Sequence, residues 1–287
     1  MRTLVLVALS ALWAMAWEAF WEKSPIANGT SRIVVVQATS QERPDELYVD
    51  NRVFAFVPHP TKPNRYYAWL SIPYDCALES YAVGLLIEAV GQKRYAPLGT
   101  LEVVRGNYPK EELRVSSDKV HLTPEDIRRV EREFAQADKL YVTVTPQSHL
   151  DKPIVYPMQI AITSGYGNER VFNGLRKSYH SGVDFRAKTP QPISAIADGR
   201  VALIGDRFYG GKSVIIDHGM GVYSGYFHMS RIAVHEGEWV KQGSNLGKSG
   251  ATGRITGPHL HMMFKIAGVS VDPIQAIEVF NRFVKEE

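Results

Sequence analysis

Short runs of β-forming residues, separated by prolines and glycines, recur along most of this 287-residue chain. Such runs are too short for helices and are typical of strands joined by tight turns. In the first part of the chain they are residues 33–36, 53–57, 66–72 and 83–87. Short strands at this spacing predict a small β-sandwich-like N-terminal domain over residues 25–117.

The second half of the chain has the same character with more glycine. From about residue 156 onwards, short β runs alternate with turns, and a helical pattern returns only at 273–284. The runs are residues 201–204, 213–217, 222–228 and 259–266. This pattern predicts an antiparallel β-sheet domain over residues 153–287. The fold class expected for the whole chain is therefore mainly β.

A single helix is signalled between the two β regions. Thr123 is a suitable N-cap and Pro124 a suitable first residue, with two acidic residues following at the positive end of the helix dipole. Three apolar residues then recur at i, i+3 and i+7, which predicts a buried stripe: Ile127, Val130 and Phe134. We expect a helical connector and linker over residues 118–152.

The N-terminus has the features of an export signal. A positive start at Arg2 precedes an apolar stretch over residues 3–17, and Ala14-Met15-Ala16 has the small-x-small form of a cleavage site. We expect a signal peptide over residues 1–16, with an uncleaved anchor in the inner membrane as the alternative. Either interpretation places the rest of the chain in the periplasm or cell envelope.

Charge and cysteine content narrow the possible functions. The net charge is only +3, and the lysines and arginines form no long block, so no nucleic-acid partner is expected. Cys76 is the only cysteine, which excludes an intrachain disulfide and a cysteine-based zinc site. Any metal must therefore be held by histidine, aspartate or glutamate.

Histidines near the C-terminal end fall in short motifs on predicted strands. His259 and His261 are two residues apart, so both point to one face of a strand and Leu260 to the other. By the same rule, Tyr226 and His228 are expected to share a face. One strand histidine alone is more often a hydrogen-bonded structural residue, so each motif by itself is a weak indication.

A third motif joins a histidine to a carboxylate. His180 and Asp184 are four residues apart, and an extended chain would separate them by roughly 13 Å, too far for one metal ion. The chain must bend between them, and Gly182 is where it can bend. Imidazole and carboxylate are both accepted ligands of zinc, and a catalytic zinc keeps three protein ligands and one open position.

Taken together, these motifs resemble the M23 family of peptidoglycan metallopeptidases, also called the lysostaphin or LytM type. The resemblance covers about residues 156–280. The region upstream is similar, less specifically, to the N-terminal part of envelope members of this family in Gram-negative bacteria. The matching stretches are residues 162–167, 170–174, 180–184, 214–219, 226–230, 250–261 and 271–273.

The resemblance implies roles for five residues. It matches His180, Asp184 and His261 to the ligands of one zinc ion per chain, and His228 and His259 to catalytic histidines that face the metal. The implied activity is a zinc-dependent endopeptidase that hydrolyses peptide cross-links of peptidoglycan, with the D-alanyl–diaminopimelate bond expected. The alternative is a non-catalytic LytM-like regulator that activates other wall hydrolases.

The resemblance also implies contacts beyond the metal. Asn173 and Tyr226 are the expected substrate-binding residues, and the stem peptides of peptidoglycan are the expected partners. The N-terminal β domain, which has no catalytic constellation of its own, is expected to contact other proteins of the cell envelope.

Overall fold

The computed structural model describes residues 17–39, 41–89, 91–113, 122–159, 161–172, 176–187, 190–255 and 257–286. The predicted signal peptide over residues 1–16 lies outside these ranges. None of the helices in the described ranges is long and apolar enough to cross a membrane. The predicted fold class is confirmed, because strands predominate in both halves of the chain.

The N-terminal β region is an eight-stranded sheet with the order β1-β3-β6-β5-β4-β7-β8-β2. Its strands are β1 (Glu18–Phe20), β2 (Ile26–Ala27), β3 (Ser31–Gln37), β4 (Glu42–Val49), β5 (Arg52–Pro58), β6 (Arg65–Ser71), β7 (Ser80–Ala89) and β8 (Gln92–Val104).

Strand β5 connects the two halves of this sheet. Its residue Ala55 pairs with Glu46 of β4, whereas the next residue, Phe56, pairs with Ala68 of β6. A strand that passes from one layer to the other is a feature of sandwich-like sheets. Alternating residues from both halves meet in one core that includes Val34, Val36, Leu47, Val49, Phe54, Phe56, Ala68, Leu70, Val83, Leu85, Ile87, Leu101 and Val103.

The connector contains a strand and a helix, β9 (Lys110–Leu113) and α1 (Pro124–Tyr141). Helix α1 begins where the sequence predicts. The Thr123 side chain accepts a hydrogen bond from Asp126 N, and the Asp126 carboxylate accepts one from Thr123 N. This reciprocal pair satisfies two backbone donors that the first turn leaves unpaired.

The predicted buried stripe of helix α1 is wrong. Ile127 is 43% exposed and Phe134 is 56% exposed, whereas the buried residues are Ala137 and Tyr141 near the C-terminal end. These two pack against a patch of the C-terminal sheet that comprises Leu203, Ile215, Tyr223 and Met263. Only the last turns of α1 bury side chains on that sheet, so periodicity alone selects the wrong residues.

The C-terminal half is built on a ten-stranded, antiparallel sheet followed by helix α2 (Pro273–Glu286). The strands in chain order are β10 (Ile162–Ser164), β11 (Glu169–Phe172), β12 (Arg176–Tyr179), β13 (Val183–Arg186), β14 (Pro192–Ser194), β15 (Gly199–Arg207), β16 (Gly211–Asp217), β17 (Val222–Ile232), β18 (Trp239–Val240), β19 (Asn245–Ser249), β20 (His259–Ile266) and β21 (Val269–Val271). Strands β11 and β12 stand apart from this sheet and form a three-stranded sheet with β9, which pairs in parallel with β11.

The two large sheets are packed against each other. Trp69 of β6 stacks on Phe280 of α2, with ring centroids 5.2 Å apart, and Ser71 Oγ donates a hydrogen bond of 3.0 Å to Ile266 O. Tyr67 contacts Phe283 in the same apolar cluster. The N-terminal sheet therefore supports the side of α2 and β20 that lies behind the candidate site.

Candidate metal centre and cleft

The centre of the site is a pair of neighbouring strands. In the antiparallel ladder between β13 and β20, Asp184 lies directly opposite His261. His180 precedes β13 and turns its ring towards the same point. The His180 Nε2 atom lies 2.9 Å from Asp184 Oδ1 and 2.9 Å from His261 Nδ1, and the latter two atoms are 2.8 Å apart.

Gly182 lies between His180 and Asp184, as the expected bend requires. A Cβ atom at this position would lie 2.2 Å from Met262 O and 2.7 Å from His261 Cε1. Gly182 is not among the residues with positive φ. Glycine is therefore needed here for space beside the His261 ring rather than for an unusual backbone conformation.

The three groups fit a zinc ion by their chemistry. Nδ1 of His180 lies 2.7 Å from Gly165 O, so this nitrogen is the N–H donor and Nε2 carries the lone pair that faces Asp184 and His261. Two imidazole nitrogens and a carboxylate oxygen converge within 2.9 Å of one another, where such acceptors repel unless a cation or proton lies between them. They form the one cluster of potential metal ligands found among the described residues.

Asp184 is held in its ionised form. Burial alone would raise its pKa, but the His180 and His261 rings beside it outweigh burial and hold the pKa of this carboxyl well below its usual range. Its second oxygen, Oδ2, lies 3.2 Å from Arg170 Nη2. Arg170 in turn lies 3.4 Å from Glu111 Oε2 on β9. The upstream connector thus contributes a carboxylate to the surroundings of this site.

Two further histidines face the same point with fixed rings. Nδ1 of His228 lies 2.9 Å from Thr252 O, and Nδ1 of His259 lies 2.8 Å from Gly257 O. Each Nδ1 is therefore the donor, and each Nε2 is left as an acceptor. The two ring centroids are 4.7 Å apart, and His259 Nε2 lies 3.6 Å from Asp184 Oδ1. Burial, together with the neighbouring His261 and His259, lowers the pKa of His228 to about 3.

The expectation that Tyr226 and His228 share a face is wrong. Val214 pairs with Tyr226, but Lys212 pairs with Met229, so three steps on β17 oppose two steps on β16. This is a β-bulge, and His228 within it has φ of +63°. The extra residue reverses the alternation, so that the His228 ring points into the cleft while Tyr226 points into the core.

Tyr226 consequently makes no surface for a substrate. Its side chain is fully buried, and its hydroxyl accepts a hydrogen bond of 3.0 Å from Ile196 N. The expected substrate contact at Tyr226 is therefore wrong, because the bulge places this side chain behind the sheet. The other expected contact, Asn173, lies outside the described residues. In β20 the predicted alternation holds, with Leu260 buried between His259 and His261.

The histidines open onto a cleft of about 880 Å³. Sequence reasoning missed several of its residues, because the connector supplies them from a distance: Glu111 from β9, and Val130, Phe134, Ala137, Asp138 and Tyr141 from α1. It also missed Lys265, which continues the His259–His261 alternation along β20 and could have been found by extending it.

This fold and site define a mainly β protein with a His–Asp–His cluster open to a cleft. Residues 178–273 match Peptidase family M23. The C-terminal half of the chain therefore carries an M23 peptidase domain.

Curated relatives match the same region. The chain is 34% identical over 125 residues to the peptidoglycan DD-endopeptidase ShyB of Vibrio cholerae, covering 42% of this chain and 29% of that protein. It is 37% identical over 123 residues to the DD-carboxypeptidase/endopeptidase Mpg of Neisseria meningitidis serogroup B, covering 43% of this chain and 28% of that protein. This chain thus spans less than a third of the length of these two relatives.

One solved structure is similar over nearly the whole chain. The crystal structure of a putative peptidase M23 from Pseudomonas aeruginosa matches with a TM-score of 0.68 and 27% identity. The match covers 90% of this chain and 97% of that one. The similarity therefore extends to the N-terminal sheet and the connector as well as the peptidase domain.

Proposed function

We propose that this protein is a zinc-dependent endopeptidase that hydrolyses peptide cross-links of bacterial peptidoglycan. The observation that carries the proposal is the convergence of His180, Asp184 and His261 at the base of a cleft, with His228 and His259 beside them. Three protein ligands facing an open cleft are typical of a catalytic zinc site, whereas a structural zinc is usually closed by four.

One zinc ion per chain would be held by Nε2 of His180, Nδ1 of His261 and the carboxylate of Asp184. Zinc in such a site supplies Lewis acidity, which polarises a scissile carbonyl and makes an attacking water more acidic. Arg170 orients the Asp184 carboxylate through Oδ2, and Gly165 O orients the His180 ring. Such supporting contacts fix the direction of the ligand lone pairs.

His228 and His259 are the proposed proton-transfer groups. Both rings present an unprotonated Nε2 to the cleft because both Nδ1 atoms donate to backbone carbonyls. One of them accepts a proton from the attacking water, and a protonated imidazole then donates a proton to the leaving amine. The second stabilises the oxyanion by hydrogen bonding.

The proposed scissile bond is the D-alanyl–diaminopimelate cross-link between stem peptides. The support is that one relative of the peptidase domain is named as a peptidoglycan DD-endopeptidase and another as a DD-carboxypeptidase/endopeptidase. Since peptidoglycan lies outside the cytoplasmic membrane, we also propose that residues 1–16 direct export to the periplasm or envelope. The N-terminal domain, 25–117, is proposed to contact envelope proteins, and the connector, 118–152, to link it to the peptidase domain, 153–287.

The alternative of a non-catalytic LytM-like regulator is not favoured. A regulator has no need of metal ligands or of acid–base groups, yet all five of these side chains lie together in this cleft. Their rings are held by hydrogen bonds to backbone carbonyls, at His180, His228 and His259.

The test is digestion of purified sacculi from a Gram-negative bacterium, followed by mass spectrometry of the released fragments. The full-length protein is expected to convert cross-linked fragments into monomers, and a chelator is expected to stop this. The matched control is the His228→Ala, His259→Ala double variant. Intact cross-links after treatment with folded, zinc-loaded protein would overturn the proposal.

A further inference from the structure

The cleft face of β20 continues well beyond the metal ligands. Side chains alternate along a strand, so His259, His261, Met263 and Lys265 all face the cleft, and all four line it. Lys265 is four residues from His261, which is roughly 13 Å along the strand. The floor of the cleft therefore leads from the metal cluster to a lysine near helix α1.

Lys265 has no acidic partner among the described residues. Its Nζ donates one hydrogen bond of 3.1 Å to Gly268 O and lies 4.7 Å from the centroid of the Tyr141 ring. An ammonium group has three donors, so the carbonyl accounts for only one of them. Asp138 of α1 also lines the cleft and partly compensates the charge of Lys265, but it forms no ion pair with it.

Two of the other three cations that line the cleft are held by neighbouring groups of the protein. Arg170 pairs with Asp184 and Glu111. Arg207 donates to Glu133 O and to Gln136 Oε1 on α1. The third, Arg254, lies over the Tyr209 ring, with its guanidinium carbon 5.4 Å from the ring centroid. Lys265 differs from these arginines in lying on β20 itself, on the same face as His259 and His261.

The surroundings of Lys265 are apolar and partly closed. Tyr141, Ile215 and Met263 are almost completely buried around this end of the cleft. Burial lowers the pKa of Lys265, and the charge of Asp138 only partly offsets this. An incoming anion would offset the cost of burying the ammonium group, and a charge-assisted hydrogen bond is stronger in such a setting than in water.

We propose that Lys265, together with the Tyr141 wall of helix α1, forms a subsite that binds a carboxylate of the peptide substrate. This carboxylate lies roughly three to four residues of extended chain from the scissile bond. The subsite rests on the proposed peptidase function and adds a specificity determinant to it. Tyr141 lies upstream of residues 178–273, which are the part of the chain that matches the M23 family. The subsite therefore requires the connector helix to be packed on the peptidase domain.

The test uses soluble cross-linked peptidoglycan fragments in which one carboxylate at a time is replaced by a carboxamide. The proteins are the full-length wild type, Lys265→Met, Lys265→Arg and, as a matched control, Lys139→Met. Lys139 is an exposed lysine of α1 that does not line the cleft. Methionine keeps much of the packing of the lysine stem while removing the charge.

We expect amidation of one particular carboxylate to lower wild-type kcat/KM by about 10- to 100-fold, mainly through KM. For Lys265→Met, kcat/KM on the unmodified fragment should be lower than the wild-type value by the same factor. Amidation of that carboxylate should not lower it further. Lys265→Arg should retain most of the preference, and Lys139→Met all of it. Wild-type selectivity in Lys265→Met would overturn the subsite while leaving the peptidase proposal intact.

If no fragment is cleaved, measurements of binding distinguish the subsite proposal from the peptidase proposal. Calorimetric titration of the same fragments into the zinc-loaded proteins measures the carboxylate preference without turnover. Absence of cleavage by folded protein would contradict the peptidase function alone. A wild-type preference in Kd that disappears in Lys265→Met would still support the subsite, and equal Kd values for all fragments would refute it.

Discussion

The ring of His261 occupies the space that a side chain at residue 182 would fill, because a Cβ atom on Gly182 would lie 2.7 Å from His261 Cε1. The same atom would lie 2.2 Å from Met262 O. Contacts this short cannot be relieved by a small rotation, since one partner is a backbone atom and the other is the ring of a proposed metal ligand.

Gly182→Ala is therefore expected to displace His261 and weaken metal binding. A change in the groups that orient a ligand typically costs about 10- to 100-fold in metal affinity, which a competition titration with a chromophoric chelator measures. The control is Gly165→Ala, where the nearest atom to an added Cβ is 3.8 Å away. Wild-type zinc affinity in Gly182→Ala would show that His261 is not confined in this way.

His228→Ala and His259→Ala are expected to keep zinc and lose most activity. Neither residue belongs to the three-ligand cluster, but each presents Nε2 to the cleft. General acid–base assistance is worth about 10² to 10⁴ in rate, so kcat on a soluble cross-linked fragment should fall by this factor. Near-normal turnover in either variant would remove that histidine from the mechanism.

Tyr226→Phe is expected to destabilise the protein without changing substrate recognition. The Tyr226 hydroxyl accepts the hydrogen bond from the buried Ile196 N, and an unsatisfied buried donor costs about 1–3 kcal/mol. Urea unfolding should show this loss, while KM stays at the wild-type value. Tyr95→Phe, at an exposed position, is the matched control. A raised KM with unchanged stability would instead show that Tyr226 contacts the substrate.

Stability is expected to depend on pH through His218. Complete burial lowers the pKa of His218 to about 4, and its Nδ1 lies 2.7 Å from Asp198 O. Because the unfolded chain binds a proton near pH 6.5 and the folded chain does not, the free energy of unfolding falls as pH decreases from about 6.5 to 4. The loss attributable to this group is about 3 kcal/mol over that interval.

The measurement is urea unfolding of chelator-treated wild type and His218→Gln between pH 4 and 7. Other titrating groups cancel in the comparison, so the two free-energy curves should converge as pH falls. Parallel curves would show that His218 is not kept neutral by the fold.

The sequence predicts those parts of the site that depend on short-range alternation. His259 and His261 share the cleft face because β20 is regular across them, and the close approach at Gly182 needs a residue without a side chain. His228 shows where this reasoning stops. One extra residue in β17 reverses the alternation, and nothing in Tyr226-Phe227-His228 itself reveals the bulge.

Long-range packing explains the other differences. Periodicity along α1 identifies its apolar residues but not which turns reach the sheet, so Ile127 and Phe134 are exposed while Tyr141 is buried. Glu111 reaches Arg170 only because β9 pairs in parallel with β11, about sixty residues later, and no local pattern predicts such a pairing.

Metal analysis of the purified full-length protein and of the Asp184→Ala, His261→Ala double variant shows directly whether these side chains hold zinc. One zinc per chain is expected in the wild type and none in the folded double variant, because the single ligand that remains, His180, cannot hold the ion. Full zinc occupancy in the double variant would contradict the assignment of His180, Asp184 and His261 as the metal site.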